Sequence, residues 1–257
     1  MIRKGDFGKF SQNALYFRML IGMKQLVALG LFFAVAAGAA SLPTGMSQSD
    51  VDKTVQVLGT GGATRLMRSA EPYPFYPGFK IGFEALFFSS SSLIGLGNGD
   101  GSVPPVLFIP RLYLAKGLIA DVDLILSLLP GGIVPSLSTV GAALKWTFLS
   151  ERENIPGSIA AYFSYTSLRG LDRYVGTDLE FGLLASRDLV RVRPFLGLGV
   201  LLASGTVQNT VSGQLEGKHS AFHLFGGIEW ELPANITLQL DLMNLNVQGS
   251  LLVGKRF

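Results

Sequence analysis

From Phe79 to Phe257 the chain alternates apolar and polar residues in one short segment after another. In residues 120–128, Ala120, Val122, Leu124, Leu126 and Leu128 share one face, and Asp121, Asp123, Ile125 and Ser127 share the other. A period of two marks a β-strand whose faces meet different surroundings. The pattern recurs at 140–148, 159–167, 175–186, 220–230 and 236–243. Together with weaker segments this gives ten strands: 79–88, 106–114, 118–128, 137–149, 157–167, 174–186, 191–203, 219–231, 235–247 and 250–257. An even count returns the chain to the side on which it began. Eight strands is the alternative, because Pro104, Pro105 and Pro110 interrupt the second segment and Gln248-Gly249 is a very short lead-in to the last.

The cost of burying charge decides which face points outward. Val175, Thr177, Leu179, Phe181, Leu183 and Ala185 form a nearly all-apolar face, while the opposite faces are small or ionic. A soluble sandwich or lipocalin-like barrel would point the apolar faces inward. A core built from the opposite faces would bury unpaired charges at several kcal/mol each. Lipid outside and a polar lumen inside remove the conflict, so the expected fold is all-β, an antiparallel up-and-down transmembrane barrel. Composition agrees: 48% of residues are hydrophobic and 15% charged, mean hydropathy is +0.40, and no apolar run reaches the length of a spanning helix. The connections 89–105, 129–136, 168–173, 204–218 and 248–249 fall on one side and include the two longest. Those at 115–117, 150–156, 187–190 and 232–234 are short, as expected of the inner side of such a barrel.

Ahead of the strands, Lys24 precedes the apolar stretch 26–37, and Ala37-Gly38-Ala39-Ala40-Ser41 follows it. Charge, apolar core and small residues in that order predict a secretory signal peptide over residues 1–40, with 1–22 an over-extension from a wrong start codon. The net charge of +3 belongs to this segment, which holds Arg3, Lys4, Lys9, Arg18 and Lys24 against Asp6. Without it, 16 basic residues face 17 acidic ones, and nothing in the sequence calls for a nucleic-acid partner. The chain has no cysteine, which excludes disulfides, thiolate metal sites and a lipidated N-terminal Cys.

Residues 41–78 read as either a periplasmic leader or a short helical plug. Val51, Val55 and Leu58 fall at helical spacing, as do Ala63, Leu66 and Met67, with Gly59-Thr60-Gly61-Gly62 between them as a hinge. Such helical turns could plug the lumen or lie against the inner leaflet, with Arg65 and Arg68 meeting lipid phosphates. Tyr73, Phe75 and Tyr76 supply interfacial aromatics, and Pro72, Pro74 and Pro77 keep that run out of the sheet.

The chain ends on Gly254-Lys255-Arg256-Phe257, which resembles the C-terminal signal read by the barrel-assembly machinery. With the signal peptide and alternating strands, residues 79–257 resemble the small outer-membrane barrels of the OmpA/OmpW-like group. That resemblance implies the bacterial outer membrane as location, outer-membrane lipids, lipopolysaccharide and the assembly machinery as partners, and a monomer. Lys255, on the face of Phe257, is placed to reach headgroups.

The inward faces would carry Glu84, Arg111, Asp121, Asp123, Lys145, Asp178, Glu180, Arg193, His223, Glu229, Asp241 and Arg256. Such a set admits two readings: an ion-paired network that fills the lumen, or a narrow pore whose acidic excess favours cations. The Asp121/Asp123 and Asp178/Glu180 pairs each put two carboxylates on one side of a strand. An adhesin-like barrel acting through its outer loops is the first alternative function, ahead of a lipid-modifying enzyme or a soluble lipocalin-like carrier. No enzyme activity, metal or cofactor is expected. His219 and Ser220 are neighbours on opposite faces, and His223 lies six residues from Glu229, too far for contact along a strand.

Overall fold

The computed structural model describes residues 40–257 apart from 77, 135–136, 152–154, 210–212, 233 and 245, so all of the expected signal peptide but Ala40 lies outside the described residues. Ten antiparallel strands close into one barrel: β1 (Phe79–Ser89), β2 (Val106–Gly117), β3 (Val122–Val134), β4 (Leu137–Leu149), β5 (Ser158–Gly170), β6 (Tyr174–Ser186), β7 (Val192–Asn209), β8 (Gly213–Trp230), β9 (Asn235–Met243) and β10 (Asn246–Arg256). Each pairs with its sequence neighbours, and β10 closes on β1 from Lys80↔Arg256 to Phe88↔Gln248. Closure leaves no open sheet edge, which a lipid-embedded sheet requires.

The lipid-matching faces point outward as the alternation predicts. Val175, Leu179, Phe181 and Leu183 on β6, and Leu196, Leu198, Val200 and Leu202 on β7, are all exposed on the outer surface. Their inward neighbours Asp178, Glu180, Leu184, Leu201 and Ala203 are buried. A closed barrel with an apolar exterior is a transmembrane barrel, and the location it fits is the bacterial outer membrane.

Several details depart from the sequence reading. Much of the connections expected at 129–136 and 204–218 is strand: β3 runs on to Val134, and β7 and β8 continue the ladder through Val207↔Leu215 to Asn209↔Gly213, so an arm stands beyond the rest of the barrel. Residues past the membrane need no apolar outer face, and the alternation therefore fades there. Asp121 is not in the lumen. It sits with Ala120 in a left-handed turn, each at φ 56°, exposed, and β3 begins only at Val122. The inward surface is also not uniformly polar: Leu86, Phe88, Ile109, Leu129, Leu168 and Leu201 all point inward and are buried.

What they pack against is the segment before β1. Ser47 caps a single helix, α1 (Gln48–Gly62), through a reciprocal pair of bonds with Asp50. The helix buries Val51, Val55 and Leu58 against those inward side chains. It runs straight through the glycine run expected to be a hinge, because those glycines are packing positions. A Cβ at Gly59 would lie 2.5 Å from Ala203 Cβ, and one at Gly62 2.5 Å from Leu168 Cδ1.

The two ends of the barrel differ. At one, Phe79 and Phe257 exchange backbone hydrogen bonds of 3.3 and 2.9 Å and stack their rings at 4.8 Å, beside the short connections β2–β3, β4–β5, β6–β7 and β8–β9. Lys255 reaches to 5.4 Å over the Phe257 ring there. At the other lie the long first connection, 90–105, and the projecting hairpins. Short turns mark the periplasmic end and long excursions the outer end.

Candidate functional site

The lumen is the candidate site, and its walls come with an excess of negative charge. Among the described residues, the strands bury the carboxylates Glu84, Asp123, Asp178, Glu180, Glu229 and Asp241 against the cations Lys80, Arg111 and Lys145, with His223 among them. Charges out of water must be paired or they destabilise strongly. The N-terminal segment supplies part of what is missing, since Arg65 and Arg68 are also fully buried and pair with Asp241 and Asp123.

Three clusters result. Nearest the periplasmic end, Asp123 takes Arg68 Nη1 at 2.6 Å, Lys145 Nζ at 3.0 Å and the Tyr73 amide at 3.0 Å. Lys145 also donates to the carbonyls of Ser69, Ala70 and Glu71 at 2.8–3.0 Å, so it holds backbone that no sheet satisfies. Alongside, Lys80 pairs with Glu229 at 3.0 Å, and the Ser69 amide donates to the same carboxylate. Higher in the lumen, His223 stands between two acids, with Nδ1 2.6 Å from Glu180 and Nε2 2.8 Å from Asp241. Carboxylates on both ring nitrogens call for an N–H on each. Tyr162 donates to Glu180, while Gln239, Ser250 and the Arg65 guanidinium converge on Asp241.

The third cluster joins helix to wall. Arg111 donates to the carbonyls of Gly62 and Ala63, which end α1, and so meets both orphan acceptors and the negative end of the helix dipole. Glu84 faces Arg111 across the β1–β2 ladder.

Of the expected lumen residues, Glu84, Arg111, Asp123, Lys145, Asp178, Glu180, His223, Glu229 and Asp241 are buried inside. Arg193 and Arg256 have the inward parity but lie at the periplasmic rim, half-buried. There they share Glu231 at 2.5 and 3.0 Å, and Arg193 also holds Asp188 at 2.9 Å. Lys80 was missed, although its alternation with Glu84 already puts both on one face. Arg65 and Arg68 meet carboxylates, not lipid phosphates. The acid i,i+2 pairs do not act as pairs: Asp121 is out of the lumen, and Glu180 turns to His223 and Tyr162.

At the outer mouth the segment is tied to the loops. Ser41 and Ser102 form a two-way bridge at 3.0 Å, the Leu42 amide donates to Leu171, and Asn98 donates to Thr44 through backbone and side chain. The Thr44 hydroxyl and amide both donate to Asp100 at 2.6 Å, and these bonds hold its carboxyl below the usual range. A lowered carboxyl favours the docked state when charged. The latch is therefore complete above about pH 4 and is lost as pH falls through the depressed value. Hydrogen-exchange protection of the Thr44 amide should hold at pH 7 and drop selectively in stronger acid. Protection unchanged down to pH 2 would remove Asp100 from the latch.

No protein-family model matches the chain, and no curated protein matches it. Among solved structures it is similar to Ail, the attachment invasion locus protein of Yersinia pestis, at 12% identity over 70% of this chain and 96% of that one, with a TM-score of 0.29. Neisserial surface protein A is similar at 13% identity over 68% and 94%, with a TM-score of 0.26. The closed strand circuit, the apolar exterior and the charge-lined interior are those of a transmembrane β-barrel.

Proposed function

We propose that this protein is a self-plugged barrel, a structural and surface protein and not an open pore. The observation that carries this reading is the course of residues 47–73 inside the lumen. The helix fills the outer half with apolar side chains, and Arg65 and Arg68 complete the ionic half. A cation-selective pore would need its carboxylates facing water. Here Asp123, Glu180, Glu229 and Asp241 are each engaged by protein donors. A free-standing adhesive arm is favoured less, because the β7–β8 hairpin is a wall of the plug: Leu215 packs against its core and the Glu216 carbonyl accepts from Gln48.

The test is conductance in planar bilayers. Purified full-length barrel should show no discrete steps, and a variant lacking residues 41–71 should show them if it retains its heat-dependent gel mobility. Steady conductance from the full chain would overturn the reading.

A further inference from the structure

The path of the N-terminal segment has a directional consequence. Ser41, Leu42 and Thr44 bond to Ser102, Leu171, Asn98 and Asp100, all in connections at the outer end. From there α1 descends past Gly217, Ala203 and Phe88, and the extended part passes Thr166 and Asp241 to reach Asp123. It leaves at the opposite end, where Lys116 Nζ donates to the Phe75 carbonyl and Gly117 to Gly78, and Phe79 then starts β1 beside Phe257. The segment thus enters the lumen at one mouth and exits at the other.

We infer that the polypeptide is threaded through its own barrel, so that the N-terminal end of the plug stands on the cell exterior. The barrel then carries its own N-terminal end, from Ser41, to the outside, although β1 begins at the periplasmic rim. This rests on the plug reading but adds a direction to it, since a plug hooked back to the periplasm would close the lumen equally well. The outer attachment is built from many weak parts, in keeping with an end that is docked and not sealed. Its hydrogen bonds are exposed, whereas those of the lower segment are buried.

The absence of cysteine makes the test direct. Ser49, exposed in the first turn of α1, is replaced by Cys in the full chain, with Ile94→Cys in the first outer connection and Leu232→Cys in a periplasmic turn as references. Intact cells are treated with a membrane-impermeant maleimide. The expected result is labelling of Ser49→Cys and Ile94→Cys to similar extents, and of Leu232→Cys only after the outer membrane is opened. In parallel, Ser41→Cys with Ser102→Cys should form a disulfide on oxidation. A bridge pair exchanging both backbone bonds holds its Cα atoms about 5.5 Å apart, within disulfide reach. Labelling of Ser49→Cys only in opened cells, or no disulfide with no labelling, overturns threading. If the bilayers stay silent in that case, the plug reading survives without it. Conductance from the full chain would instead remove the plug itself, whatever the labelling.

Discussion

Replacing Asp123 with leucine should lower the unfolding free energy of the barrel by about 3–5 kcal/mol, read from urea melts in phospholipid vesicles. Asp123 is fully buried and holds Arg68, Lys145 and the Tyr73 amide together. Leucine fills similar space but leaves two cations in a site that water does not reach. They are not equally stranded. Lys145 keeps three backbone carbonyls, whereas Arg68 keeps the Glu71 carbonyl and the face of Tyr73 at 3.6 Å. Adding Arg68→Met to Asp123→Leu should therefore recover roughly half of the loss, because removing both members of a buried pair costs less than removing one. That recovery separates unpaired charge from simple loss of packing, which a second truncation would only deepen. A single-variant loss below about 1 kcal/mol, the scale of an exposed pair, would mean that water reaches Asp123 and that the lumen is not filled.

How much of this was legible depends on what each residue had to satisfy. Strands facing lipid must alternate, so β4 and β6 are found with the bounds that their alternation gives, Leu137–Leu149 and Tyr174–Ser186. The β7–β8 arm faces water on one side, carries Gln208, Gln214, Glu216 and Lys218, and loses the signal while remaining a ladder. Asp121 illustrates the limit of parity: it alternates correctly with Asp123, but a turn starts where Ala120 and Asp121 take positive φ. The lumen charges were legible as a set because inward parity is local. Their partners were not. His223 reaches Glu180 on β6, two strands away across β7, and Asp241 on the adjacent β9, contacts set by the register of three successive ladders, which local alternation does not specify. Arg65 and Arg68 were visible as cations, but what they neutralise is an excess spread over β3, β8 and β9. The glycine run was misread for a related reason. Glycine costs about 1 kcal/mol per residue in a helix, so sequence alone favours a break there. The barrel wall overrides that preference by leaving room for hydrogen alone, at Gly59 against β6 and β7, at Gly61 against Phe88 of β1 and at Gly62 against Leu168 of β5.

That surface makes Gly59 the place where the plug can be dislodged with the barrel left intact. Gly59→Leu should convert a silent barrel into a conducting one, with discrete steps in planar bilayers. A Cβ there would stand 2.5 Å from Ala203 Cβ and 2.9 Å from Asp178 Oδ1, both on paired strand that cannot retreat without breaking the ladder. The helix is the element free to move. Its loss takes Val51, Val55 and Leu58 out of the outer half of the lumen and pulls the Gly62 and Ala63 carbonyls from Arg111. Strand pairing from β1 to β10 does not depend on those contacts, so the heat-dependent gel shift of a folded barrel should persist. Lys53→Leu serves as the control: it lies in the same helix but is exposed, and it should stay silent. The steps should also be sensitive to Asp178→Asn, because Asp178 adjoins Gly59 and faces the space that the displaced helix leaves. Silence from Gly59→Leu with the gel shift retained would mean that the helix can seat elsewhere in the lumen, and that the close approach at Ala203 does not hold it.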